Sequence, residues 1–156
     1  MFVHQISVYL VNAHGTLCKL TGLLKDHNVD ILALMIADMS EFGIVRFIVK
    51  DEDIQTCLDL LKEAGYSARK NHVVCVKIPN EAGGLHGALQ LLENAGNSIE
   101  YLYSFNYSGD NNALIIFRLA DREAGAKLLL ENGFNIATQA DIDALGCRSQ
   151  QITAPF

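Results

Sequence analysis

Two short stretches hold residue types able to grip a small polar molecule. They are Asn12, Ala13, His14, Gly15, Thr16 and Leu17, and then Asn80, Glu81, Ala82, Gly83, Gly84 and Leu85. In each, a carboxamide is followed by a glycine and then by apolar, helix-forming residues. A glycine lets the main chain turn sharply and approach a ligand closely. The amides that open a helix lack intrahelical partners and sit at its positive end, which suits a carboxylate. The side-chain carbonyl of Asn12 or Asn80 suits an ammonium group. Plainer readings stand beside these. The asparagines are equally good turn formers, and Gly84 permits close packing.

Other chemistries find less support. His14 and His86 lie near the two stretches, but neither has a second ligand at metal-binding spacing. His4, His27 and His72 follow no pattern. Cys18, Cys57, Cys75 and Cys147 include no CxxC pair, and the first three sit at apolar-compatible positions, as reduced packing residues do. Asp51, Glu52 and Asp53 read as the acidic first turn of a helix rather than an acid–base pair. No nucleophile–base–orienter set and no phosphate-binding loop is visible. A non-enzymatic protein without metal or cofactor is therefore expected.

The elements that would position these residues repeat. At an offset of 68, Leu23, Leu24, Ile31 and Leu34 recur as Leu91, Leu92, Ile99 and Leu102. Gly65 and Tyr66 recur as Gly133 and Phe134, and Asp51 recurs as Asp121 after a two-residue drift that fits a longer turn at 108–112. Alternating β-rich runs at 5–11 and 72–78 predict first strands. Leucines at helical spacing follow, ending at Asn28 and Gly96, where left-handed caps belong. Strands are expected at 30–38, 43–49, 98–107 and 112–119. Second helices are expected behind Asp51 and Asp121 as caps and before Gly65 and Gly133, with short last strands at 66–70 and 134–138. Tyr101, Tyr103, Phe105 and Tyr107 alternate as one face of a sheet. Each half thus reads strand–helix–strand–strand–helix–strand, the split βαβ arrangement. The fold class is α+β, with two ferredoxin-like βαββαβ modules at 1–70 and 71–140, antiparallel sheets and helices on one face. A tail covers 141–156, with one helical turn at 139–145 and a loose end at 146–156.

The sequence resembles tandem ACT domains, the ferredoxin-like amino-acid-sensing modules of allosteric enzymes and free-standing regulators. The likeness rests on Asn12 to Leu17 with Asn28, Val29, Asp30 and Ile31, and on Asn80 to Leu85 with Gly96, Asn97, Ser98 and Ile99. It covers about residues 4–138. The family's Pro in the bend is His14 here and Ala82 in the second copy, and a ligand-facing His of some members is Leu10 and Ile78. The resemblance implies a free amino acid bound between ACT modules, against the bend after the first strand. Site residues would be Asn12, His14, Gly15, Thr16, Leu17, Asp30 and Ile31, with Asn80, Ala82, Gly83, Gly84, Leu85, Ser98 and Ile99 in the second copy. It also implies regulation of a partner enzyme of amino-acid metabolism. The alternative is a module that has lost its ligand and only assembles with itself or such an enzyme.

The net charge of −6 and the scatter of 12 Lys and Arg offer no basic stripe for nucleic acid. No secretory signal opens the sequence, and the apolar run at 31–37 is too short to span a bilayer. Cytoplasmic residence and no membrane partner are expected. The aromatic stripe and alternating strands point to a homodimer.

Overall fold

A computed structural model describes residues 1–39, 41–105 and 111–146. The elements are β1 (Val3–Val11), α1 (Thr16–Asp26), β2 (Ala33–Met39), β3 (Phe42–Ile48), α2 (Ile54–Glu63), β4 (Ser67–Pro79), α3 (Gly84–Asn94), β5 (Ile99–Phe105), β6 (Asn112–Leu119), α4 (Arg122–Glu131), β7 (Asn135–Ala137) and α5 (Gln139–Gly146). The two strands expected at 66–70 and 72–78 are one strand, β4. Lys70 and Asn71 contain no glycine or proline to stop it. The helical turn expected at 139–145 is α5. Tyr107, residues 108–110 of the longer turn, and residues 147–156 of the expected loose end lie outside the described residues.

The chain divides into two compact bodies: His4–Asn71 with Ala140–Phe156, and Met1–Val3 with His72–Gln139. In the first, β3 pairs antiparallel with both β1 and β2. Ile6, Val8 and Leu10 of β1 join Val45 and Phe47 of β3 on one sheet face. Leu20 and Leu24 of α1 and Ile54, Cys57 and Leu61 of α2 pack on that same face. Each such side chain contributes about 1.5–3 kcal/mol on burial. On the other face, Gln5 and Ser7 are buried; Gln5 Nε2 donates to Ser7 Oγ at 3.2 Å, and Asn71 Nδ2 donates to the same oxygen at 3.0 Å.

The second body has β7 and β6 on either side of β4, with β5 beyond β6, all antiparallel. Val74, Val76, Ile78, Ile115 and Phe117 face Ala88 and Leu92 of α3 and Ala126 and Leu129 of α4. Phe2 packs against this core, with the Arg122 guanidinium 5.1 Å from its ring centroid. Tyr103 and Phe105 are buried on the opposite face, opposite Ile116 and Leu114 in register. The aromatic alternation therefore marks one sheet face.

Helix ends follow the expected chemistry with one exception. Asn28 and Gly96 adopt φ of 57° and 68°. The amides of Val29 and Asn97 then reach back to Leu24 O and Leu92 O, each at 2.9 Å, closing the helix C-termini. Asp121 caps α4 by accepting from the Ala124 amide at 3.0 Å. Asp51 caps nothing, because residues Asp51–Asp53 wind into a 3-10 turn ahead of α2. Its carboxylate instead lies 2.8 Å from His4 Nδ1, and its amide donates to Asp143 Oδ1 of α5 at 3.2 Å.

Candidate functional site

The first bend is a loop that the sequence closes on itself. The Asn12 amide donates to Glu41 O at 3.0 Å, tying it to the β2–β3 turn, and the Ala13 amide donates to Val11 O at 2.9 Å. Gly15 takes φ 82° as the residue before α1. That left-handed conformation costs an L-residue roughly 1–2 kcal/mol. The Thr16 hydroxyl donates to Ala13 O at 2.8 Å and lies 3.1 Å from Val11 O. Its proton is committed to the loop, so Thr16 staples the bend. No side chain caps α1. The amides of Leu17 and Cys18 find no backbone acceptor among the described residues.

Leu17 and Cys18 help to line a cleft of about 650 Å³, together with Leu10, Val11, residues 12–16, Ile36, Gly43 and Val45. Asn12 and His14 are exposed and Gly15, Thr16 and Leu17 half-buried. The cleft gathers five of the first copy's seven expected site residues. Cys18, expected to pack, is exposed and lines it. Leu17, Leu20 and Leu24 define the buried stripe of α1, and Cys18 is rotated off it by one helical step. Leu10, Ile36, Gly43 and Val45 were not among the expected site residues; only the pairing of β1 with β3 and of β3 with β2 brings them there.

The second bend repeats the backbone. Asn80 and Glu81 donate to Asn111 O and Pro79 O at 3.1 and 2.9 Å, Gly83 takes φ 91°, and α3 also lacks a side-chain cap. It differs at Gly84, the counterpart of Thr16. A Cβ on Gly84 would collide with Pro79 O, so this glycine is required for close packing. Asn80, Ala82 and Gly83 are exposed; Gly84 and Leu85 are half-buried.

Asp30, Ile31, Ser98 and Ile99 lie at the other end of their own bodies. Ala33 pairs with Ile48, one residue past the Ile6–Phe47 pair. At about 3.3 Å per strand residue, Asn12 stands more than ~20 Å away from Asp30. Ile99 pairs with Leu119, which places Ser98 and Ile99 similarly far from Asn80. Asp30 and Ser98 are exposed, and Ser98 O accepts from the Ala120 amide at 2.9 Å.

Among the described residues no His, Cys, Asp and Glu gather in a group of three or more fit to hold a metal. Cys57 and Cys75 are fully buried. Burial, helped by the nearby Asp53 carboxylate, pushes the Cys57 thiol up to about 12, leaving it protonated and a poor nucleophile at neutral pH. His27 Nδ1 lies 2.9 Å from Leu23 O near the end of α1. No helix among the described residues is long and apolar enough to cross a membrane.

Two βαββαβ bodies, each with a glycine-bearing bend at the head of its first helix, define a tandem ferredoxin-like architecture. The chain belongs to the ACT domain pair family, whose model matches residues 1–145. A crystal structure of a protein from Bacteroides thetaiotaomicron is similar over 93% of this chain and 98% of that one, at 31% identity and a TM-score of 0.83. The regulatory subunit of aspartate kinase from Thermus thermophilus, in its ligand-free form, matches 82% of this chain and 91% of its own at 16% identity and a TM-score of 0.59. The corresponding subunit from Thermus flavus matches 84% and 93% at 15% identity and a TM-score of 0.60. At these identities the two subunits show a shared fold. No curated protein matches the sequence.

Proposed function

We propose that the protein is a cytoplasmic regulator that binds a free amino acid at a strand-to-helix bend and acts without catalysis, metal or cofactor on a partner enzyme of amino-acid metabolism. The observation that carries this reading is the uncapped start of α1 opening on a cleft of about 650 Å³. The α-carboxylate would accept from the Leu17 and Cys18 amides. The ammonium group would face the Asn12 carboxamide or a loop carbonyl. Asp30 is remote from the bend of its own body and would assist only from a second chain of a homodimer. A dissociation constant between micromolar and millimolar requires about 4–8 kcal/mol, within reach of a few charge-assisted bonds and a buried side chain. Regulation follows if one arrangement of the assembly binds the ligand more tightly than another. The aspartate kinase relatives are named as regulatory subunits, which agrees with that role.

A homodimer is part of the proposal. Tyr9, Val11 and Phe42 are 47%, 57% and 54% exposed, and the β1–β3 register puts them on the sheet face away from the helices. The same surface supports a second reading, a module that only assembles. Thermal unfolding with each of the twenty amino acids at millimolar concentration separates the two. A ligand at a hundred times its dissociation constant stabilises by about 2.7 kcal/mol. A raised Tm with at least one is expected; twenty unchanged curves with an intact dimer would replace sensing by assembly.

A further inference from the structure

We infer that the cleft takes an amino acid with an apolar side chain, and that the first bend alone binds it, one per chain; this rests on the sensing reading above. The apolar side chains on the cleft's face of the sheet and helix are Leu10, Leu17, Ile36 and Val45, and among the described residues no Asp, Glu, Lys or Arg lines it. Asn12 and His14 line the cleft at the bend itself, and against the aliphatic walls beyond them a charged ligand side chain would lose its water without a partner. Ile36 is 47% exposed on an edge strand, where an aliphatic side chain forms an apolar wall facing solvent. Below it, a Cβ on Gly43 would stand 4.0 Å from Ile36 Cγ2, so the glycine keeps the floor beneath Ile36 open.

The strand registers identify the counterparts at the second bend. Val76–Ile115 corresponds to Val8–Val45, and Ile78–Ala113 corresponds to Leu10–Gly43. Ser104, opposite Ile115, stands where Ile36 stands opposite Val45. The apolar wall is therefore a hydroxyl, and the open floor carries a methyl. Pro79 replaces Val11, with its carbonyl against Gly84, and Glu81 replaces Ala13 on the loop that would receive a carboxylate. Each exchange lowers affinity for an apolar zwitterion at the second bend.

Isothermal titration of the full chain tests this, using Leu, Ile, Val, Met and Phe against Ser, Asp, Glu, Lys and Arg. The apolar set should bind with one site per chain, weakening about fourfold for each buried methylene removed. Ile36→Ser, which copies the second bend onto the first, should weaken binding at least fivefold, and Ser104→Ile should leave it within twofold. Both positions are exposed, and unchanged circular dichroism and Tm without ligand would confirm that each variant folds. A charged or hydroxylated amino acid binding more tightly than every apolar one would overturn the ligand class while leaving sensing intact. Two sites per chain, or indifference to Ile36→Ser, would overturn the placement. Silence from all ten, and from the remaining amino acids by thermal shift, would remove the sensing reading itself.

Discussion

The first and second bends have nearly the same main-chain hydrogen bonds and differ in what surrounds them. Asn12 and Asn80 donate at 3.0 and 3.1 Å to the turn opposite, and Gly15 and Gly83 share a left-handed φ. At the next position the first bend has Thr16, which fits and staples the loop. The second has Gly84, beside which no Cβ fits. A repeated backbone motif therefore does not bring repeated surroundings. The glycine sets the turn, and the neighbouring side chains set the space.

The largest expected effect tests that difference directly. Gly84→Thr forces a Cβ against Pro79 O and should cost about 3 kcal/mol or more, whereas Thr16→Gly removes a staple and should cost only about 1 kcal/mol. Denaturant unfolding of both variants would show the gap; equal costs would mean that the bends are packed alike. Next come Gly15→Ala and Gly83→Ala. Neither added Cβ meets an atom within 4 Å, so both should lose only the left-handed penalty, about 1–2 kcal/mol each. Unequal losses would expose a difference that the backbone does not.

A third comparison concerns the second helices. Asp121→Ala removes a capping bond and should cost about 1 kcal/mol. Asp51→Ala loses no cap and should cost less than half of that in the same chemical-denaturation assay. The smallest effect lies at Asp53, whose pKa is raised by burial and by Glu52, Asp30 and Asp143, against Lys50. Its charged form is thus disfavoured in the folded state. Asp53→Asn should raise Tm slightly at pH 7, and the gain should fade as pH falls through the carboxylate range, where Asp53 is itself protonated. A gain that persists in acid would point to packing rather than charge.

The architecture was legible because its signals are local. Leucines at helical spacing, Asn28 and Gly96 at helix ends, and alternation in β1 each follow from short-range sterics. The bends were legible for the same reason, and so was their repetition. The cleft was only half legible. Ile36, Gly43 and Val45 reach it through strand pairing, which has no signature within the loop. Asp30 and Ile31 looked like neighbours of Asn12, yet a parallel pair of strand starts separates them by most of a strand's length. Asp51 read as a cap because Asp121 is one; the 3-10 turn and His4 take it elsewhere.

Gln5, Ser7 and Asn71 form a polar trio on the sheet face opposite the leucines. Sliding β1 by one position would push a carboxamide and a hydroxyl among the aliphatic side chains and turn Ile6 and Val8 outward. It would also leave Asn71 facing hydrocarbon. The trio thus works as a key that only one alignment of the strand can turn, and it guards the folding chain against misthreading with itself or with another copy.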